Sequence, residues 1–351
     1  MIDEASYIRN PMTKVAKAMR RLASRASTRI ALTGTPIENG VRDLWSIMEF
    51  ALPGHLGPHQ EFQERYEKPL ARVGTDPVSA ARLIDRLQRR IRPFFLRRTK
   101  LAVAPELPSK IETLRLIDLS KSQAAIYQGI LRESSEVVSE AVRRGDSGAR
   151  MQMLTALLRL RQVCCDPRLL GDKGPPGFKQ IDSAKLEAFR MLLGRLLADG
   201  HSILVFSQFV SMLRLLRRVV EEAGSDYSYL DGASIDRADQ VKAFQDEPKK
   251  RVFLISLKAG GYGLNLTKAD TVVHFDPWWN PAVEAQATDR AHRIGQNRPV
   301  TVYKLIARNT VEEKIVRLQR KKRQTVDALI DDDQLLMQNL TSSDLEELLE
   351  H

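Results

Sequence analysis

The sequence contains only two cysteines, Cys164 and Cys165, and they are adjacent. Adjacent residues are poor disulfide partners, and two thiolates cannot supply the four ligands of a structural zinc site. No apolar run approaches the roughly 20 residues needed to span a bilayer, and the N-terminus lacks a signal-peptide pattern. We therefore expect reduced, buried thiols in a soluble cytoplasmic protein, associated with the nucleoid if the source is bacterial.

The sequence also lacks a phosphate-binding loop of the form G-x-x-x-x-G-K-[ST]. In nucleotide hydrolases of the P-loop type, the backbone amides and the lysine of that loop hold the nucleotide phosphates.

Charge is distributed unevenly along the 351 residues, which are long enough for two domains at about 150 residues each. Lysine and arginine total 55 against 44 acidic residues, giving a formal net charge of +11. Residues 331–351 reverse this balance, with seven acidic residues and no lysine or arginine. The basic remainder suggests a polyanionic partner, although solubility alone explains basic charge about as well.

Short apolar runs alternate with helical stretches through the second half of the chain. We predict strands at 203–206, 252–255, 271–275 and 300–305, and helices at 212–223, 236–244, 282–293 and 311–329. Alternation of these lengths indicates a parallel α/β sheet covered on both faces. A further short strand is predicted at 29–32, and 101–112, which holds two prolines, is the best linker candidate.

The most informative stretch is QATDRAHRIGQ at residues 286–296, which follows the glycine-rich turn AGGYG at 259–263. On a helix, positions i and i+3 are neighbours, so we expect the guanidinium groups of Arg290 and Arg293 to share one face. Guanidinium groups fork onto phosphate oxygens, as an arginine finger requires. A solvated basic helix face explains two arginines, but it does not explain the whole string.

That string resembles the last motif of the SWI/SNF-type DNA translocases, which are superfamily-two helicase-like ATPases. Further stretches resemble other motifs of the family in the expected order, over roughly residues 1–325. They are DEA with IRN at 3–10, LTGTPIEN at 32–39, FLRRTK at 95–100, LRQ to DP at 160–167, SAKL at 183–186, ILVFSQF at 203–209 and DG at 231–232.

The resemblance implies RecA-like parallel sheets with helices on both faces, arranged as a partial first lobe plus a complete second lobe with helical insertions. It divides the chain into the C-terminal part of the first lobe (1–100), an interlobe linker (101–112), a helical approach to the second lobe (113–180), the second lobe (181–308), a brace helix (309–330) and an acidic tail (331–351).

The missing phosphate-binding loop is a departure from the family pattern, and we therefore expect this polypeptide on its own to hydrolyse ATP slowly or not at all. We expect a gene fragment, a late start or a split gene, with a separate polypeptide supplying the N-terminal motor half as a candidate partner. The alternative is a non-catalytic module, derived from such a motor, that binds DNA or a partner. A transcription-recycling ATPase would need an RNA polymerase-binding region, which we do not identify.

The resemblance also assigns roles to single residues, with ATP and Mg²⁺ as cofactors and double-stranded DNA as partner. Catalysis falls to Asp3, which would hold the metal, to Glu4, which would polarise the attacking water, and to Arg290 and Arg293. Nucleotide binding falls to Gly260, Gly261, Gly263, Gln286 and Asp289. DNA contact falls to Thr33, Thr35, Ser207, Gln208, Lys258, Asn265 and Trp279. A solvated acidic N-terminus remains the alternative for Asp3 and Glu4, and core or interlobe packing remains the alternative for Trp279.

Overall fold

The computed structural model describes residues 1–34, 41–71, 77–96, 98, 100–143, 148–174, 177–178, 181–257, 259 and 263–327. These residues form two compact units. The first is Met1–Arg98 together with residues 319–327, and the second is Thr99–Leu318. The predicted acidic tail lies outside the described residues. No helix in the described ranges is long and apolar enough to cross a membrane.

The first unit is helical in the residues described. Its α-helices are α1 (Lys14–Ala23), α2 (Val41–Ala51), α3 (His59–Phe62), α4 (Lys68–Ala71) and α5 (Pro77–Ile91). Short 3-10 turns lie at Ala5–Ile8 and Arg92–Phe94, and a π-helical turn at Gln63–Glu67 joins α3 to α4. Helix α1 begins where Thr13 caps it, with its hydroxyl accepting a hydrogen bond from the amide of Ala16 at 3.2 Å.

The strand that we predicted at 29–32 is reduced to an isolated parallel bridge between Ile2 and Ala31. The amide of Ile2 donates to Ile30 and the amide of Leu32 donates to Ile2, both at 2.8 Å. The ladder stops there because Glu4 takes a left-handed conformation with φ of 51°, which turns the chain out of the extended state. The prediction of a strand at 29–32 was wrong for this reason.

The second unit is built on one sheet of six strands. The strands are β1 (Lys110–Ile117), β2 (Ile203–Ser207), β3 (Asp226–Leu230), β4 (Lys250–Ser256), β5 (Thr271–His274) and β6 (Val300–Ala307). Their order is β1-β6-β5-β2-β4-β3, and every pairing is parallel. All residues of β2 and β5 are buried, as expected for central strands of a sheet that is covered on both faces.

Helices cover both faces of this sheet, as the sequence predicted. They are α6 (Lys100–Val103), α7 (Lys121–Arg143), α8 (Ala149–Cys165), α9 (Ala184–Ala198), α10 (Val210–Glu222), α11 (Arg237–Asp246), α12 (Pro281–Thr288) and α13 (Val311–Asp327). Alternate residues of β2 enter different cores: Val205 packs in the cluster that contains Phe189 of α9, and Phe206 packs in the cluster that contains Phe244 of α11. Each buried side chain of this size contributes about 1.5–3 kcal/mol.

Strand β1 lies where we predicted the end of a linker and the start of a helical segment. It pairs in parallel with β6 in continuous register from Lys110 opposite Val300 to Ile117 opposite Ala307. Its sequence, KIETLRLI, mixes charges with apolar residues, and Ile111 is 51% exposed. An edge strand that carries charges has a weak apolar pattern, which is why the sequence did not reveal it.

The imidazole of His274 is buried at the end of β5. Its Nε2 lies 3.0 Å from the hydroxyl of Thr288, and its ring stacks on Phe206 with 5.5 Å between centroids. Burial lowers the pKa of His274 to about 4. The folded protein therefore holds this side chain neutral at pH values where an unfolded chain protonates it.

We expect acid to destabilise the second unit through His274. Unfolded histidine takes up a proton near pH 6.5, and the folded residue does so only near pH 4. The free energy of unfolding should therefore fall as the pH is lowered between these values, by up to about 3 kcal/mol. Urea unfolding between about pH 7 and about pH 4.5 measures this, with His274→Asn as the comparison. An unchanged pH profile in the variant would assign the acid sensitivity to other groups.

Candidate functional site

The acidic turn at Asp3 and Glu4 lies directly beside the threonine-glycine motif. The amide of Ala5 donates to the carbonyl of Leu32 at 2.8 Å, and Thr33 follows at once. Buried Ala5 and Ile8 anchor the turn in a core shared with α1 and α2. The structure thus brings Asp3, Glu4 and Thr33 into one local site, whereas Thr35 lies outside the described residues.

The chemistry of this turn fits a hard cation only with additional ligands. Asp3 is exposed, and its Oδ1 accepts a hydrogen bond from the amide of Glu4 at 2.9 Å. No group of three or more potential metal ligands occurs within the described ranges. Since Mg²⁺ is commonly held by one or two carboxylates plus substrate phosphates and water, the two carboxylates fit that role beside a bound nucleotide.

Residues 266–269, which follow the glycine-rich turn, are bonded to residues 286–296, here called the arginine segment, in the second unit. The amide of Leu266 donates to the carbonyl of Arg290 at 3.0 Å. The buried side chain of Gln296 donates to the carbonyls of Thr267, Ala269 and Ala291 at 3.1, 2.8 and 3.1 Å. Residues 266–269 and 290–296 are therefore fixed together through hydrogen bonds to backbone carbonyls. Lys258, Gly260 and Gly261 lie outside the described residues, while Gly263 has a φ of +54°.

The two arginines do not share a helix face, and this prediction was wrong. Helix α12 ends at Thr288, and the chain continues as turns through Gly295. The carbonyl of Arg290 bonds to the amide of Leu266, and the amide of Arg293 bonds to the carbonyl of Ala291 at 3.1 Å. These tertiary and local bonds replace further helical ones. Arg290 is half-buried and Arg293 is exposed.

Lys100 fastens the arginine segment from outside it. Its ammonium forms an ion pair with Asp289 at 2.8 Å and donates to the carbonyl of His292 at 3.0 Å. The Nε2 of His292 in turn donates to the carbonyl of Pro108 at 2.7 Å. Asp289, which we predicted to bind nucleotide, thus also has a structural contact. The sequence placed Lys100 in a family motif but gave no sign of this partner.

The carboxyl ends of β2 and β5 form a second cluster of predicted site residues. Ser207 is fully buried, and its hydroxyl donates to Oδ1 of Asp276 at 2.5 Å. The amide of Gln208 donates to the other oxygen of Asp276 at 3.3 Å. The side chain of Ser207 therefore does not reach the surface, contrary to its predicted role in DNA contact. Together with Asp276 it positions the backbone of Gln208, which is half-buried.

A buried arginine supports the neighbouring tryptophan. Arg161 of α8 donates from Nη2 to the carbonyl of Pro277 at 2.6 Å, and its guanidinium lies 4.9 Å from the ring centroid of Trp279. Trp279 is half-buried, so packing on Arg161 accounts for part of its surface. Asn265, by contrast, is exposed. Arg161 stood in a motif that the sequence identified, but neither Asp276 nor this stacking had a sequence signal.

A fully buried ion pair ties α9 to α13. The ammonium of Lys185 lies 2.9 Å from each carboxylate oxygen of Glu312, and neither side chain has any exposed surface. Burial opposes the charge on Lys185, but the attraction of Glu312 outweighs it and raises the pKa of the ammonium. One oxygen of Glu312 also accepts the amide of Ala307 at 2.9 Å. Cys165 lies beside this pair, and both cysteines are free and buried, as predicted.

Comparison with known proteins identifies the family. The SNF2-related domain matches residues 1–169, and the helicase conserved C-terminal domain matches residues 184–295. The solved structure of the Sulfolobus solfataricus SWI2/SNF2 ATPase core in complex with dsDNA is 37% identical, with 99% of this chain and 72% of that chain covered and a TM-score of 0.55. The chain belongs to the SNF2 family of helicase-like ATPases. Its parallel sheet is the RecA-like fold that the sequence predicted.

Curated relatives of this SNF2-family chain are considerably longer. An uncharacterized ATP-dependent helicase of Mycoplasma pneumoniae is 36% identical over 352 residues, covering 100% of this chain and 32% of the relative. The human SWI/SNF-related matrix-associated actin-dependent regulator of chromatin subfamily A member 1 is 34% identical over 359 residues, covering 100% of this chain and 33% of the relative. The SNF2-family chain thus spans about a third of the length of these relatives.

Breaking the Lys185–Glu312 pair should destabilise the second unit strongly. Lys185→Met leaves a buried carboxylate without its partner, which should lower the free energy of unfolding by about 3–5 kcal/mol. The double variant Lys185→Met with Glu312→Leu removes both charges and should recover most of that loss. Urea unfolding at neutral pH measures both. A double variant that is no more stable than Lys185→Met alone would contradict this account of the pair.

Proposed function

We propose that this chain is the motor segment of an ATP-dependent DNA translocase that moves along duplex DNA. The observation that carries the proposal is the bond between Leu266 and Arg290, reinforced by Gln296. These bonds fix the arginine segment to the chain that follows the glycine-rich turn, and preorganised charge of this kind favours phosphoryl transfer. The Mycoplasma pneumoniae relative is ATP-dependent by name, and one similar solved structure is in complex with dsDNA.

In this proposal the acidic turn of the first unit serves ATP hydrolysis. Asp3 would hold Mg²⁺, which when bound neutralises charge on the nucleotide phosphates. Glu4 would orient the attacking water as a general base. The hydrogen bond from Ala5 to Leu32 fixes the turn that carries both carboxylates, and Thr33 adjoins it. Nucleotide state and the threonine-glycine motif would thereby be coupled through one short backbone contact.

The arginine segment would supply the positive charge for phosphoryl transfer. The backbone at Arg290 is fixed by the hydrogen bond from the amide of Leu266, and exposed Arg293 lies three residues further along the turn. A guanidinium that is already positioned stabilises developing negative charge without reorganisation, which in related chemistry is worth about 10³-fold or more in rate. Gln286 and Asp289 precede Arg290 in this segment. The ion pair of Asp289 with Lys100 helps to hold the segment in place.

DNA would be held mainly through its phosphates, so binding should show little sequence preference. Candidate contacts are Gln208, Asn265 and Trp279 in the second unit and Thr33 in the first. At the carboxyl ends of β2 and β5, Asp276 binds the amide of Gln208. Next to it, Arg161 binds the carbonyl of Pro277 and stacks on Trp279. That edge is the usual ligand side of a parallel sheet.

Because the sequence has no G-x-x-x-x-G-K-[ST] string, we propose that this polypeptide alone hydrolyses ATP slowly. A separate segment or polypeptide would then provide the phosphate-binding loop. The same absence is what favours the alternative function, a non-catalytic module that binds DNA or a partner. Both functions predict that the chain alone binds DNA without hydrolysing ATP. They predict different ATP hydrolysis only after a phosphate-binding loop is restored.

The test measures ATP hydrolysis by the 351-residue chain with and without duplex DNA, and again after fusion to a phosphate-loop segment from a relative. We expect no DNA-stimulated turnover from the chain alone. In the fusion, we expect DNA-stimulated turnover that Arg290→Ala lowers by about 10³-fold. Arg218→Ala, an exposed arginine on α10, serves as the matched control and should have no effect.

Each outcome separates the hypotheses. Turnover by the chain alone that is lost in Arg290→Ala would show that the phosphate loop is dispensable. A folded fusion that binds DNA but never hydrolyses ATP would favour the non-catalytic module. Equal activity of Arg290→Ala and Arg218→Ala would reject the arginine assignment.

A further inference from the structure

Residues 5–37 form the longest uniformly basic stretch around a described helix. This stretch contains no aspartate or glutamate, and it contains seven basic residues. They are Arg9, Lys14, Lys17, Arg20, Arg21, Arg25 and Arg29. Helix α1 lies at the centre of this stretch, so its geometry determines where the charges are presented.

Three of these cations lie on one face of α1. At about 100° per residue, Lys14, Lys17 and Arg21 fall within an arc of about 60°, and Arg25 continues the row just beyond the helix. All four are exposed. The rise of about 1.5 Å per residue places the three helical positions along about 10 Å of the axis. The face is therefore a straight row rather than a scattered set.

The apolar side of α1 lies opposite this row. Ala16 and Ala23 are buried against Ile8 and Phe50, and Met19 packs at the edge of the same core. Val15 and Leu22 adjoin this side of the helix and are 53% and 64% exposed. At about 100° per residue, these two exposed residues lie on the flank between the apolar side and the cations. The row of Lys14, Lys17 and Arg21 thus faces away from the core of the first unit.

The cations of the row differ from their neighbours in what they contact. Arg20 donates to the carbonyl of Pro11 at 2.5 Å, and Arg29 donates to the carbonyl of Ala23 at 2.7 Å, so both stabilise the unit itself. Lys14, Lys17 and Arg21 form no ion pair within the described part of the chain. Like charges at i, i+3 and i, i+4 destabilise a helix by a few tenths of a kcal/mol per pair, and a polyanion removes that cost.

We propose that this face of α1, defined by Lys14, Lys17 and Arg21 with Arg25 beyond, binds the phosphate backbone of duplex DNA. It adds a contact surface to the DNA-binding part of the proposed function, on which it rests. An unbroken row of one sign suits a linear polyanion of uniform charge, such as a duplex with one charge per ~1.7 Å. The exposed part of the row holds no large apolar or aromatic side chain of the kind that anchors the centre of a protein–protein interface, which favours a nucleic-acid phosphate backbone.

The test is the salt dependence of duplex binding by the full chain, measured by fluorescence anisotropy on DNA of unrelated sequences. The variant carries Lys14→Gln, Lys17→Gln and Arg21→Gln, because glutamine keeps helix propensity while removing charge. Each phosphate contact contributes about 0.9 to the slope of log affinity against log salt, so the slope should decrease by about 2–3. Affinity should fall by a similar factor on every sequence.

Two controls make this result specific. The first, Arg218→Gln with Lys242→Gln and Lys249→Gln, removes the same charge from exposed positions elsewhere and should leave the slope unchanged. The second, Lys14→Arg with Lys17→Arg and Arg21→Lys, keeps the charge and should keep the slope, which separates charge from any folding defect. The assignment of this surface to DNA would be overturned if the glutamine variant kept the parental salt slope. It would also be overturned if the first control lowered the slope by the same amount.

Failure of the surface and failure of the proposed function give different readings. If the parent chain binds DNA with a salt-dependent slope that the α1 variant does not alter, only the surface is rejected. If the parent chain binds no duplex DNA at any salt concentration, the DNA part of the proposed function is rejected and the surface with it. The same titrations are made with single-stranded DNA. A larger decrease of the salt slope on single-stranded than on duplex DNA would reject the assignment of the surface to duplex DNA.

Discussion

The second unit depends on one constraint, which is that neither of its buried charges Lys185 and Glu312 is left without the other. Two charges without solvent contact are tolerated only when each is fully hydrogen-bonded, and Glu312 meets this condition through Lys185 and the amide of Ala307. The pair joins the first turn of α9 to the first turn of α13 and to the end of β6. These three elements are therefore held together by a charge pair as well as by the apolar cores.

A second constraint acts at the same edge of the sheet. Asp276 is buried, and burial raises its pKa, while Arg161 and Lys185 favour its charged form. It receives the hydroxyl of Ser207 and the amide of Gln208, and Arg161 reaches the next carbonyl and the ring of Trp279. Surface groups that could meet a ligand are thus supported from below by buried polar groups. Such support is what keeps a site in position without help from the ligand.

The two units present charge in different ways. In the second unit, Arg161 and Lys185 lie inside and have partners, so their charges organise the fold. In the first unit, Lys14, Lys17 and Arg21 on α1 lie outside and away from its apolar side, so their charges remain available to solvent. Basic side chains therefore stabilise the fold in the second unit and form an exposed surface in the first. Burial is what distinguishes these two uses.

The sequence alone determined the family, the parallel α/β class and the positions of the central strands, because motif order and buried apolar runs are local properties of the chain. It did not determine the edge strand at Lys110–Ile117, whose charges hide its period, or the end of α12 at Thr288. It also placed Ser207 on the surface, where the structure buries it against Asp276. These features depend on partners far apart in the chain: β6 for the strand, Leu266 for the arginine segment and Asp276 for the serine. Only the tertiary structure decides such pairings, since no spacing in the sequence records which distant groups meet.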